Sequence, residues 1–255
     1  MLVSSCATLS YLQELQSGKN SSGHIVKGVE ISDQSDYGKR SVLLVMEKSS
    51  GTSICTAVPI GARLLLTAAH CVHQMEPAKI KAVFGHDYRN LKDSKTPSVE
   101  VEKYKVHELF DGSAKSYSDL ALIKLKSAIP KDYKVVPTYD GKSETYSDQL
   151  TLVGYGITEE NNKDSLLLRM TTKSYKNDVY LKDSLIGFNQ KNETGGFCKG
   201  DSGAPIFMKV GATIKLLAIN SFTAGPEAAL DCHSASFAMY IPFFRAWIIK
   251  ESIHI

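Results

Sequence analysis

The chain has 255 residues, 43% hydrophobic and 22% charged, a composition typical of a globular protein long enough to bury a large core. Its 30 basic and 27 acidic residues leave a formal net charge of +3, so the charge balance gives no argument for nucleic acid or a bulk membrane surface as partner. No apolar run approaches the roughly 20 residues that a spanning helix needs.

Residues 1–24 read as a leader or propeptide. Met1 to Cys6 has no basic n-region and no long apolar core, so it is not a complete secretory signal. Val3-Ser4-Ser5-Cys6 does resemble the end of a bacterial lipoprotein signal, where the cysteine is acylated. The plainer expectation is a disordered leader with an incidental cysteine, and a membrane enters the reading only if Cys6 is lipidated. Ser17-Gly18-Lys19-Asn20-Ser21-Ser22-Gly23 then reads as a flexible linker.

From Ile25 onward the pattern changes to short β-rich runs separated by turn signals. Strands are expected near 41–46, 54–58, 63–67, 79–84, 99–106, 120–125, 149–155, 166–172, 205–209, 214–220 and 237–241. Pro59-Ile60-Gly61-Ala62 and Lys209-Val210-Gly211-Ala212 read as hairpin connections. Many short strands with little helix between them predict antiparallel barrels or sandwiches. The end of the chain differs: Phe244, Trp247 and Ile248, with Ile249 and Ile253, have the spacing of a short amphipathic helix that packs on the β structure.

Five cysteines are present: Cys6, Cys55, Cys71, Cys198 and Cys232. An even set plus one leftover suits two disulfides in an oxidising compartment, which predicts a secreted, periplasmic or cell-envelope protein. The expected pairs are Cys55–Cys71, beside His70, and Cys198–Cys232, beside Ser202. Four cysteines allow three pairings, so counting alone leaves the choice open. His70 and His73 with Cys55 and Cys71 could suggest zinc. The spacing is poor and a disulfide would remove both thiolates, so no metal and no cofactor is expected. Gly154-Tyr155-Gly156 reads as a turn after a strand, not a nucleotide site.

Three segments carry chemistry: Thr67-Ala68-Ala69-His70-Cys71, Ser118-Asp119-Leu120-Ala121-Leu122, and Phe197-Cys198-Lys199-Gly200-Asp201-Ser202-Gly203-Ala204-Pro205. A serine hydroxyl is a weak nucleophile until a base takes its proton, and an imidazole titrates near neutrality. A carboxylate must then fix the imidazole tautomer. Ser202, His70 and Asp119 fit these roles, and the backbone N–H groups of Gly200 and Ser202 fit an oxyanion hole. The order histidine, aspartate, serine separates this set from α/β-hydrolases and subtilisins.

Together the three blocks resemble the signature segments of the trypsin/chymotrypsin-like serine proteases, and the likeness runs from Ile25 to the C-terminus. The resemblance implies an all-β fold of two six-stranded antiparallel β-barrels with a C-terminal helix, occupying 25–255 with a break near 130–145. It also supports both disulfides. It implies a serine endopeptidase that works through an acyl-enzyme on protein or peptide substrates. Ile25-Val26-Lys27-Gly28 resembles the family's mature N-terminus. By that likeness an activating protease cuts the zymogen after His24, and the Ile25 amine pairs with Asp201. Histidine before the cut departs from the lysine or arginine of many relatives. The same resemblance assigns Gly196, Phe197, Ser221, Thr223 and Ser236 to the primary substrate pocket, with an uncharged, small residue preferred before the scissile bond. The alternative is a non-catalytic binding protein on the same scaffold.

Overall fold

The structure is a computed structural model, and it describes residues 25, 28–32, 34–49, 51–88, 96–113, 116–142, 145–157, 166–190, 195–224, 232 and 235–255. Cys6, the linker and the position of the cut after His24 lie outside the described residues.

In the first half, β1 (Val29–Glu30), β2 (Val42–Lys48), β3 (Gly51–Gly61), β4 (Leu64–Thr67), the one-turn helix α1 (Ala69–Val72), β5 (Ile80–Val83), β6 (Ser98–Val106) and β7 (Ala121–Leu125) follow one another. Six of them close into a barrel in the order β2-β3-β4-β7-β6-β5. Alternation along each strand divides the side chains between two cores. Val42, Leu44 and Met46 of β2 point inward with Leu65, Ile80 and Ile123. Leu43, Val58, Leu66 and Leu122 point out of this barrel into a second cluster, which they share with Phe207, Leu216 and Ile219 from the later half of the chain. That shared cluster glues the halves together.

The later half supplies β8 (Tyr146–Gly154), β9 (Arg169–Ser174), the short helix α2 (Tyr175–Asp178), β10 (Val179–Lys182), β11 (Leu185–Asn189), β12 (Pro205–Val210), β13 (Thr213–Ala224), β14 (Ala235–Tyr240) and the terminal helix α3 (Ile241–His254). The sheet order is β1-β9-β8-β12-β13-β14-β11-β10. Five of the six inner strands, β8, β9, β12, β13 and β14, match expected runs, β11 supplies the sixth, and β1 and β10 extend the two edges. Lys173 of β9 donates to the Asn189 carbonyl of β11 at 2.8 Å, which draws the ends of that six-strand set towards each other.

Three sequence expectations shift. The first hairpin turns at Ala62-Arg63, because β3 runs on past Pro59 through an irregularity in its pairing with β4. The β10–β11 hairpin was not foreseen, since β10 buries almost nothing and shows no alternation. In α3, Phe244 and Ile248 are buried as expected, but Ile249 and Ile253 face solvent. The turn at Gly211 is where it was expected: Val210 pairs with Thr213, and Gly211 adopts φ 58°, which costs glycine little.

Helix α3 follows β14 in the chain but reaches the first barrel. His107, just past β6, packs against Phe244 and Trp247 at ring-centroid distances of 5.3 and 4.8 Å. The Trp247 indole N–H donates to Glu108 at 2.7 Å, and Lys124 on β7 donates to the Ile255 carbonyl at 2.8 Å.

Candidate active site

The end of β4 delivers His70. Ala68 and Ala69 are fully buried, which fixes α1 against the barrel and leaves the next side chain at its rim. The Cys55–Cys71 disulfide ties β3 to α1, with a Cα–Cα separation of 6.3 Å. Asp119 sits in the turn entering β7 and is fully buried, whereas the His70 ring keeps 28% exposure. Its carboxylate binds His70 twice. Oδ1 accepts the His70 backbone N–H at 2.8 Å, and Oδ2 lies 2.6 Å from Nδ1. Ser221, arriving on β13 from the later half, donates its hydroxyl to the same Oδ2. With Nδ1 as donor, the second ring nitrogen is left as the base.

Ser202 lies in the loop before β12. Its carbonyl accepts the Thr56 N–H of β3 at 2.8 Å, so the segment is pinned across the seam between the two halves. Gly203 follows with φ +78°, and a Cβ there would lie 2.1 Å from Thr67 Oγ1 and 2.2 Å from the Thr56 carbonyl oxygen. Only glycine fits. Thr67 is three residues before His70, so the serine loop rests on the strand that carries the histidine. Gly203 N–H donates to the Asn220 carbonyl, and the Asn220 side-chain amide donates to the Asp201 carbonyl, both at 2.8 Å. The structure thus gathers His70, Asp119, Ser202 and Ser221 at one seam.

Gly200 has φ +92°, and a Cβ there would meet Gly156 Cα at 2.9 Å. This conformation favours glycine and turns the backbone sharply before Ser202. Asp201 is fully buried. It accepts N–H bonds from Gly156 at 2.8 Å and from Cys198 at 2.9 Å. A Cβ on Gly154 would lie 2.1 Å from Asp201 Oδ1, and one on Gly156 would lie 2.5 Å from its Cγ. The glycine pair read as a turn is therefore the cradle of this carboxyl group. Burial pushes the Asp201 carboxyl up to about 7, against the pull of those two N–H groups and of the Arg169 charge. Ile25 is also fully buried, with φ 40°, a costly conformation for a β-branched residue.

The expected pocket residues fall into two groups. Ser221 and Thr223 lie on β13, and Thr223 pairs directly with Ser236 on β14. Gly196 and Phe197 lead into the Cys198–Cys232 disulfide, whose Cα–Cα separation is 5.0 Å. Phe197 is buried in the second-half core with Phe188 and Ala238. Among the buried polar residues that went unnoticed in the sequence are the amides Gln190 and Asn220, because an isolated amide residue carries no pattern. The three residues that could suggest a metal, Cys55, His70 and Cys71, are a disulfide and a histidine already bonded to Asp119, so they leave no thiolate to coordinate one.

Comparisons with known proteins agree with this architecture. A family model described as Trypsin matches residues 25–248. Trypsin eta of Drosophila melanogaster is 26% identical over 247 residues, covering 91% of this chain and 89% of that protein. Tissue-type plasminogen activator of Rattus norvegicus is 27% identical over 226 residues, covering 78% of this chain and 40% of that protein. Serine protease grass of Drosophila melanogaster is 26% identical over 180 residues, 60% of this chain and 47% of that protein. The chain therefore spans less than half the length of the last two.

Proposed function

Since this chain belongs to the trypsin family of serine proteases, we propose that it is an active endopeptidase whose nucleophile is Ser202. The observation that carries the reading is the convergence on Asp119: the His70 N–H, the His70 ring and the Ser221 hydroxyl all bind one buried carboxylate. A histidine fixed this firmly is oriented for proton transfer, which typically contributes about 10²–10⁴ in rate. His70 Nε2 takes the Ser202 proton as Oγ attacks the carbonyl carbon. The oxyanion forms opposite the Gly200 and Ser202 N–H groups. His70 then gives its proton to the leaving amine, and the acyl-enzyme is hydrolysed by water through the same steps. The substrates are proteins or peptides met in an oxidising compartment, as the two disulfides suggest.

The Asp201 cradle supports an activation step. In the chain as described, the Ile25 nitrogen is a peptide amide, and Asp201 is buried with its carboxyl pushed up to about 7. Cleavage after His24 would create an ammonium group at Ile25. Pairing with it would ionise Asp201 and order the loop that carries Gly200 and Ser202.

A pH dependence follows. An unfolded aspartate loses its proton near 3.8, while Asp201 in the uncleaved fold keeps it to about 7. The uncleaved fold therefore holds a proton that the unfolded chain has released, and this contribution to stability falls as pH rises from about 4 to about 7. Above that it is constant. Asp201→Asn should abolish this component, so the variant's melting temperature relative to wild type should climb across that window in the uncleaved protein. In material cut after His24 the same change should destabilise. Thermal melts of both forms from pH 4 to 8 check this, and a difference that does not vary with pH in the uncleaved form would refute it.

The test of the whole reading is labelling by a fluorophosphonate. Material beginning at Ile25 should label at Ser202, and Ser202→Ala should not. A folded, correctly cut protein that stays unlabelled would favour the binding-protein alternative.

A further inference from the structure

We propose that Gln190 is the floor of the primary substrate pocket and limits it to short, uncharged side chains. The proposal rests on the protease reading above. It concerns a residue just beyond β11 with no part in the proton-transfer chemistry.

The space in question is bounded by chain segments already tied to the catalytic groups. One boundary is 196–203, which ends in the serine loop. The other is β13 with β14. The pairing of β13 with β14 shifts between Asn220 and Phe222, so Asn220 pairs with Ala238 while Thr223 pairs with Ser236. Because of that extra residue, Asn220, Thr223, Ser236 and Ala238 share one face. Phe222 and Phe237 stack on the opposite face, with ring centroids 5.0 Å apart. The first face looks towards the serine loop, since Asn220 binds Asp201 and Gly203.

Gln190 closes this space from below. It is 1% exposed, and a Cβ on Gly196 would lie 2.2 Å from its Cδ and Oε1. The volume next to Gly196 is thus already filled by an amide. That amide is held at both ends. Oε1 accepts the Phe197 N–H at 2.8 Å, and Nε2 donates to the Phe197 carbonyl at 3.0 Å and to the Cys232 carbonyl at 2.7 Å. Both amide hydrogens are used, so swinging the side chain aside would strand two buried carbonyls and an N–H. A substrate side chain cannot displace it at low cost. None of Gly196, Phe197, Thr223 and Ser236 is ionisable at neutral pH, so a charged substrate residue finds no counter-charge on these walls. A substrate side chain directed between these walls meets the Gln190 amide before it can extend, which favours alanine, serine, threonine or valine over arginine, lysine or phenylalanine.

The test is a peptide library varied at the residue before the scissile bond, run on protein cut after His24 and titrated with the fluorophosphonate. Wild type should cleave after alanine or valine, with leucine, phenylalanine and arginine disfavoured by about tenfold or more in kcat/KM. Gln190→Gly should raise the leucine-to-alanine ratio about tenfold among the molecules that label. Gln190→Leu, which keeps the bulk and loses the hydrogen bonds, should retain the wild-type ranking. If neither variant folds, the wild-type profile decides. Wild-type cleavage after phenylalanine or arginine at the rate for alanine would overturn the proposal, as would an unchanged ranking in labelled Gln190→Gly. A wild type that never labels would overturn the protease reading and the floor with it, whereas labelling with the wrong ranking overturns the floor alone.

Discussion

Asp119→Asn is expected to lower kcat by about 10⁴-fold, the loss typical where an aspartate orients a catalytic histidine, with little change in melting temperature. The reason lies in which atom accepts from which. Oδ1 takes the His70 backbone N–H, and Oδ2 faces the His70 ring nitrogen and the Ser221 hydroxyl. Asparagine keeps the shape but must put an NH₂ group at one of these places. Keeping oxygen opposite the backbone N–H aims the NH₂ at Nδ1. That nitrogen must then accept, the proton moves to Nε2, and the base facing Ser202 is lost. The Ser221 hydroxyl can turn to accept from the same NH₂, so the buried site stays satisfied and the fold should hold. Turnover per titrated site, measured beside a thermal melt, separates the two effects. Near-wild-type turnover would mean that His70 is not oriented through Asp119.

The second large effect concerns stability. Gly203→Ala should destabilise by more than about 4 kcal/mol, enough to abolish folding in many domains of this size. A methyl group there meets a main-chain oxygen at 2.2 Å and the Thr67 hydroxyl at 2.1 Å, and the residue sits at φ +78°. The Thr56 oxygen cannot retreat easily, because Thr67 Oγ1 donates to it at 2.8 Å and the neighbouring Thr56 N–H holds the Ser202 carbonyl. Relief would require the two halves to part at their shared core. A chemical denaturation midpoint checks the claim, with Gly211→Ala as a comparison. Gly211 has open space around its Cβ position, so its substitution carries only the strain of a left-handed turn. Equal midpoints for the two variants would mean the seam is looser than described.

The three blocks that hold His70, Asp119 and Ser202 stood out because each carries residue types that chemistry constrains, and the β architecture was legible where strands alternate between two cores. Other features depend on contacts distant in sequence. Gly154 and Gly156 look like any turn until Asp201 is placed between them. Gln190 looks like a loop residue until Phe197 and Cys232 fold over it. Strand β10 shows no pattern because it buries almost nothing, and its place is set by pairing with β11. Ile249 and Ile253 have the right spacing for a buried stripe, yet Phe244 and Ile248 occupy the contact with the body of the protein. Spacing names a face of a helix, and the surface beneath it decides which face is used.

Helix α3 acts as a clasp, since its rings hold His107 and the last carbonyl holds Lys124. The His107 N–H in turn donates to the Leu120 carbonyl at 2.9 Å, one residue beyond the buried acid. Helix α3 is therefore part of the scaffolding beneath the His70–Asp119 pair. Fusions, affinity tags or trimming at its end should be judged by turnover as well as by expression, because a loosened clasp would misalign the acid while most of the molecule stayed folded.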